Sequence, residues 1–152
     1  MQNYFLDYSA FQEMKHRRFR NTCHISLPLL GGLMGLLFLS CSHRNPAELA
    51  GQVAKQYYEQ LLSGDYDSFV DGTWQPDHIP ASYRDQLIDN AKMFVEQQQV
   101  KHRGIREVRT SNAEADSTGT AANVFLVFCY GDSTAEEVLV PMIQHEGTWY
   151  MK

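Results

Sequence analysis

The stretch "VFLVFCY", residues 124–130, is apolar at every position. Side chains of a strand alternate between two faces, so a strand with one wet face shows a polar residue at every second place. Here Val124, Leu126, Phe128 and Tyr130 project one way while Phe125, Val127 and Cys129 project the other, and both sets are apolar. The stretch reads as an inner strand with both faces largely withdrawn from water. Helices can cover one face; the other calls for a loop, a ligand or a second subunit.

Turn-forming residues bracket this strand: Asp116-Ser117-Thr118-Gly119 before it, Gly131-Asp132-Ser133 after it, and His145-Glu146-Gly147 further on. Between them lie β-branched and aromatic runs at 105–115, 119–130, 135–144 and 148–152. Connections this short join antiparallel neighbours. Pro141, inside the third run, has no N–H to give to a ladder and implies a bulge or an edge there.

Upstream the period changes. After Pro46, Leu49, Val53, Tyr57 and Leu61 form one stripe, supported by Ala50, Ala54, Tyr58 and Leu62, and Gly64 is placed to stop a helix over 46–63. Asp65 can cap a short helix over "YDSFVDG", followed by a loop from 73 to 79. Ser82 and Asp85 mark the start of a third helix carrying Tyr83, Leu87, Ile88, Ala91, Phe94 and Val95, expected to fade near Gln97 to Gln99. Helices followed by a meander of strands is an α+β order.

In front of the domain, residues 15–20 read Lys-His-Arg-Arg-Phe-Arg and residues 25–40 read "ISLPLLGGLMGLLFLS". A basic patch, an apolar run shorter than the roughly 20 residues of a spanning helix, and a small residue before a break are the layout of a signal peptide. Ser40 precedes Cys41, and the junction resembles a bacterial lipoprotein signal, with Phe38 where such boxes usually carry Leu. That resemblance makes Cys41 the lipid attachment point; a plain signal with an incidental cysteine is the alternative. Asp7 and Glu13 are foreign to a signal, so Met14 is a candidate true start. The expected division is a signal over 1–40, a lipidated cysteine and tether over 41–45, and one domain over 46–152.

After Cys41 the chain holds nine Lys/Arg against sixteen Asp/Glu. An acidic domain is a poor partner for nucleic acid, which wants clustered bases. Beyond Cys41 the sole cysteine is Cys129, so with lipid on the first there is no internal disulfide to form.

The order "VAKQYYEQLLSGDYDSFVD", a third helix ending before "RGIREV", long hairpins and a terminal "HEGTWYMK" resembles the nuclear-transport-factor-2-like superfamily, in particular small lipoproteins of Gram-negative bacteria. Gly64-Asp65-Tyr66-Asp67 and Gly147-Thr148-Trp149-Tyr150 carry the likeness, which covers 46–152. It implies a cystatin-like cone, with N-terminal helices packed on a curved antiparallel sheet of about four strands around an apolar cavity. Its members include isomerases, cyclases, dehydratases and ligand binders, so function has to come from the site.

G-x-S-x-G, C-x-x-C, H-E-x-x-H and G-x-x-x-x-G-K are all absent from the sequence. "DYDSFVDG" gathers Asp65, Asp67 and Asp71, but Phe69, Val70 and Pro76 stand where an EF-hand needs a ligand, Gly and Glu. His43, His78, His102 and His145 lie in a tether, a loop, a helix end and a turn, so no metal site is expected. An isomerase of this superfamily would face a phenol, from Tyr57 or Tyr58, with a base such as Asp71, His78 or Asp89. Those residues also fit core packing and surface charge. Tyr57, Tyr58, Trp74, Phe94, Phe125, Phe128, Tyr130 and Trp149 are the candidate lining of a cavity, or equally the filling of a core.

The leading expectation is a lipid-anchored, non-catalytic protein of the Gram-negative envelope, facing the periplasm, that binds a small apolar ligand or a protein partner. It needs no cofactor, and the second apolar face of 124–130 points to a homodimer through the sheet. The alternatives are a cofactor-independent isomerase, cyclase or dehydratase, and a structural accessory of an envelope complex.

Overall fold

The computed structural model describes residues 45–75 and 78–152. The expected signal segment, Cys41 and tether residues 42–44 lie outside the described residues, as do Pro76 and Asp77. Three helices, α1 (Pro46–Ser63), α2 (Tyr66–Asp71) and α3 (Ala81–His102), precede four strands, β1 (Ile105–Ala115), β2 (Ala121–Tyr130), β3 (Ala135–His145) and β4 (Thr148–Met151). The fold is α+β, with helices on one face of a curved antiparallel sheet of order β1-β2-β3-β4.

Local chemistry explains the helix ends. The Asn45 side chain accepts from the Ala47 N–H at 3.1 Å ahead of Pro46, and Gly64 closes α1 in the left-handed region at φ 87°. Asp65 then accepts from the Ser68 N–H at 3.1 Å to start α2. For α3 the ends differ from expectation. Its first turn is seated on the carbonyl of Pro80, which accepts from Tyr83 and Arg84, rather than on the Ser82 side chain. Nor does it fade at the glutamines: it runs to His102, where the ring stacks on Tyr130 at 4.3 Å and Arg103 and Gly104 reverse the chain at positive φ. A tertiary contact extends a helix that periodicity alone would end.

Small residues bring α1 close to the sheet. Ala50 and Ala54 have no exposed surface, and a Cβ added to Gly51 would meet the Thr110 methyl at 3.1 Å. Beneath them Tyr58 and Leu61 pack with Leu126, Phe128, Val138, Val140 and Met142 in one core. The even-numbered side chains of β2 fill that core, whereas Phe125 and Val127 lie half-buried on the opposite, outer face.

β2 starts at Ala121 rather than 119, because the Asp116 carboxylate accepts from the Thr120 and Ala121 N–H groups and extends the turn. Pro141 sits in unbroken β2–β3 register opposite Asn123 on the inner strand β3, so it marks neither a bulge nor a sheet edge, only the place where the β3–β4 pairing runs out. Its carbonyl accepts from the Lys152 N–H at 2.9 Å, which turns its nitrogen away from β2 to the side where β4 ends. The bulges lie in β1 instead, at Arg106 and Ser111, each an extra residue against β2 that bends the strand. No described helix is long and apolar enough to cross a membrane.

Candidate functional site

The helix-facing side of the sheet holds most of the aromatic set. Tyr58, Phe128 and Trp149 are at most 6% exposed, and Tyr58 packs edge-on against Phe69 and at a tilt on Phe128. Burial pushes the Tyr58 phenol up to about 12. Tyr57, at the margin of this core, donates to the Trp149 carbonyl at 2.9 Å, and burial followed by the nearby Tyr150 raises its phenol. Gly72 makes room for it: a Cβ there would come 2.5 Å from the Tyr57 ring. Phe94 is half-buried against the same core. The interior also contains an indole N–H, Trp149 Nε1, and an amide oxygen, Gln60 Oε1, each buried without a hydrogen-bond partner.

The candidate bases do not join these phenols. Asp71 is exposed on α2, where Arg84 donates to it from Nε at 3.1 Å and from Nη2 at 3.0 Å. The same guanidinium reaches Asp67 at 2.6 Å. Asp89 is exposed on α3 with Lys92 at 3.1 Å, and His78 is exposed in the loop before it. These acids carry surface ion pairs, because their helices turn them to water.

The remaining aromatic candidates separate. Phe125 faces away from the core by strand parity and pairs across β2–β3 with Leu139. It cannot line a common cavity with Phe128. Trp74, following a parallel bridge between Thr73 and Met151, stands 5.5 Å from Tyr150 and 4.4 Å from His145. Val127, Leu139, Ile143 and Tyr150 are half-buried on the outer face, with Ile143 opposite Tyr150. Around them Asn123, Glu137, Pro141 and Thr148 are exposed, so this face meets solvent.

Tyr130 belongs to a group that sequence reasoning did not assemble. Its phenol donates to Glu136 Oε2 at 2.8 Å, and burial first, then that carboxylate, holds its proton far above the ordinary range. His102 lies flat on its ring, with Nδ1 2.9 Å from Asp132 Oδ2. Asp132 also accepts from the Thr134 hydroxyl and N–H, and these bonds, Thr134 first and His102 next, hold its carboxyl well below the usual range. The Tyr130–Glu136 pair was legible in principle, since a tight turn over 131–134 puts both on one face. The 30-residue separation of His102 from Asp132 left no sequence signal. Among the described residues no three metal-ligating side chains gather.

Helices packed on one face of a curved four-stranded meander define the nuclear-transport-factor-2-like class of fold, and this chain has it. Among solved structures it is similar to a Campylobacter jejuni protein described as an NTF2-like transpeptidase, with a TM-score of 0.54 and 13% identity over 71% of this chain and 97% of that one. A SEC-C motif-containing protein from Rhodopseudomonas palustris superposes with a TM-score of 0.45 and 15% identity over 66% of this chain and 72% of that one. No family model matches the chain, and no curated protein matches it.

Proposed function

We propose that this is a lipid-anchored protein of the Gram-negative cell envelope whose domain binds a protein partner without catalysis, through the outer face of its sheet. The partner is a second copy of the chain. The observation that supports this is the outer face itself: Phe125, Val127, Leu139, Ile143 and Tyr150 are half-buried on it, with Phe125 opposite Leu139 and Ile143 opposite Tyr150. Matching such a face to its own copy removes apolar area from water, worth about 25 cal/mol per Å² before ordering costs. Against an isomerase, Tyr57 and Tyr130 already donate their protons to Trp149 and Glu136, and Asp71 and Asp89 face water.

The test is co-purification of two differently tagged copies from detergent-solubilised membranes. Wild-type copies are expected to travel together. Leu139→Glu, which puts a charge at the centre of the face without touching the core, is expected to separate them. Copies that never associate, or that associate equally well with Glu at 139, sink the reading. A second reading, a small ligand inside the domain, is favoured by the unpartnered Trp149 Nε1 and Gln60 Oε1, because a buried donor and acceptor left empty are costly. Quenching of Trp149 fluorescence by an added apolar ligand, lost in Gln60→Leu, would support it.

A further inference from the structure

The domain is acidic, yet four of the nine Lys/Arg that follow Cys41 fall within residues 101–109. Elsewhere among the described bases Lys55 is held by Glu59, Arg84 by Asp67 and Asp71, and Lys92 by Asp89, while Lys152 at the end of the chain has no carboxylate partner among the described residues. Within the cluster Arg109 holds Glu107. Lys101, Arg103 and Arg106 pair with no carboxylate among the described residues. These are three cations without a carboxylate partner among the described residues, within six residues of sequence, in a domain where acids are in excess.

Their placement is built. Arg103 occupies the left-handed region at φ 61°, where glycine is cheaper, immediately before Gly104 at φ 81°. Arg106 is the extra residue of the first β1 bulge, a device that re-aims a side chain. Both meet at Gly131: a Cβ built there would lie 2.9 Å from Arg103 Cβ, 2.9 Å from Arg106 Nε and 2.4 Å from the Arg103 carbonyl oxygen. The missing side chain leaves room for the Arg103 backbone and for the Arg106 guanidinium at one point. Beside them His102 is oriented by Asp132 at Nδ1 and by the Tyr130 ring, leaving Nε2 as its remaining polar atom. Asp132 gives its carboxylate oxygens to Thr134 and His102, and no ion pair joins it to either arginine.

We propose that His102, Arg103 and Arg106, arranged about Gly131, with Lys101 adding positive charge from the last turn of α3, form a binding site for a phosphate group. One guanidinium fork satisfies a carboxylate, whereas several independent cationic heads match the three or more oxygens of a phosphate. The proposal goes beyond the sheet-mediated association above and does not depend on it. A phosphomonoester and a phosphodiester offer the same chemistry from different sources, a small soluble molecule or a lipid or polymer headgroup.

Full-length protein in neutral detergent micelles at pH 7 is titrated with inorganic phosphate and, separately, with glycerophosphoglycerol, following the His102 imidazole and the Gly104 and Gly131 amides by NMR. A saturable shift with at least one probe is expected, weakened about tenfold or more by Arg106→Gln, a loss of about 1.4 kcal/mol. Lys92→Gln, whose partner lies elsewhere, should leave it unchanged. Saturation by phosphate alone assigns a monoester; saturation by the diester assigns a headgroup. Should Arg106→Gln lose its folded spectrum, Arg103→Gly removes a cation while favouring the same left-handed turn. No saturation with either probe, or saturation that the folded variants do not weaken, overturns the proposal.

Discussion

Asp132 ties the end of α3 to the β2–β3 turn twice, by its carboxylate on His102 Nδ1 and by its N–H on the His102 carbonyl at 3.0 Å. Because its folded carboxyl titrates below the ordinary range, its contribution to stability is fully present above the unfolded carboxylate value of about 3.9 and is lost as pH falls through the folded value. Asp132→Asn should therefore lower the urea midpoint at pH 7 and lower it progressively less as pH drops below about 4. An equal loss at pH 7 and pH 3 would mean that the side chain acts through packing. This residue also shows where sequence reading stops. In the sequence His102 reads only as a helix-end histidine, because nothing linear connects it to a turn 30 residues away. Tyr130 reads as an apolar ring, and its hydroxyl chemistry depends on a neighbour that only the hairpin supplies.

Helix α1 is the element best read in advance. Its bounds, its proline start and its glycine stop all follow from local rules, and the structure has the same bounds, 46–63. Strand bounds in β1 and β3 were legible within a residue because turn chemistry is local. The β1 bulges were not, since Arg106 and Ser111 look like ordinary strand residues until β2 lies opposite them. Likewise α3 combines a weak apolar stripe with exposed Met93 and Val100, so its length depends on where it docks. The two helices should respond oppositely to substitution. Ala54→Leu forces a larger side chain between α1 and the sheet and is expected to cost about 1–3 kcal/mol, whereas Met93→Gln should fall within about 0.5 kcal/mol of wild type. Thermal or urea denaturation of both variants checks this; comparable losses would mean that α3 packs on more than the described core.

At the scale of the molecule, the anchoring proposal predicts that Cys41→Ala abolishes palmitate incorporation and releases the protein from membranes, since stable attachment takes more than one acyl chain or signal. Equal labelling of the variant would end it. The direction in which the domain leaves that anchor has its own consequence. Pro46 sits against Gly119 in the β1–β2 turn, where a Cβ would come within 3.3 Å of its ring, while Arg103 and Gly131 meet beyond the other end of β1. At a rise of about 3.3 Å per residue, the 11 residues of β1 separate those ends by roughly 35 Å. The five steps from Cys41 to Pro46 can stretch only about 18 Å. Anchored as proposed and standing upright, the domain would hold its arginine turn aloft, where a soluble phosphate reaches it freely and a lipid headgroup only if the domain bows toward its membrane, a motion that a longer stalk would ease.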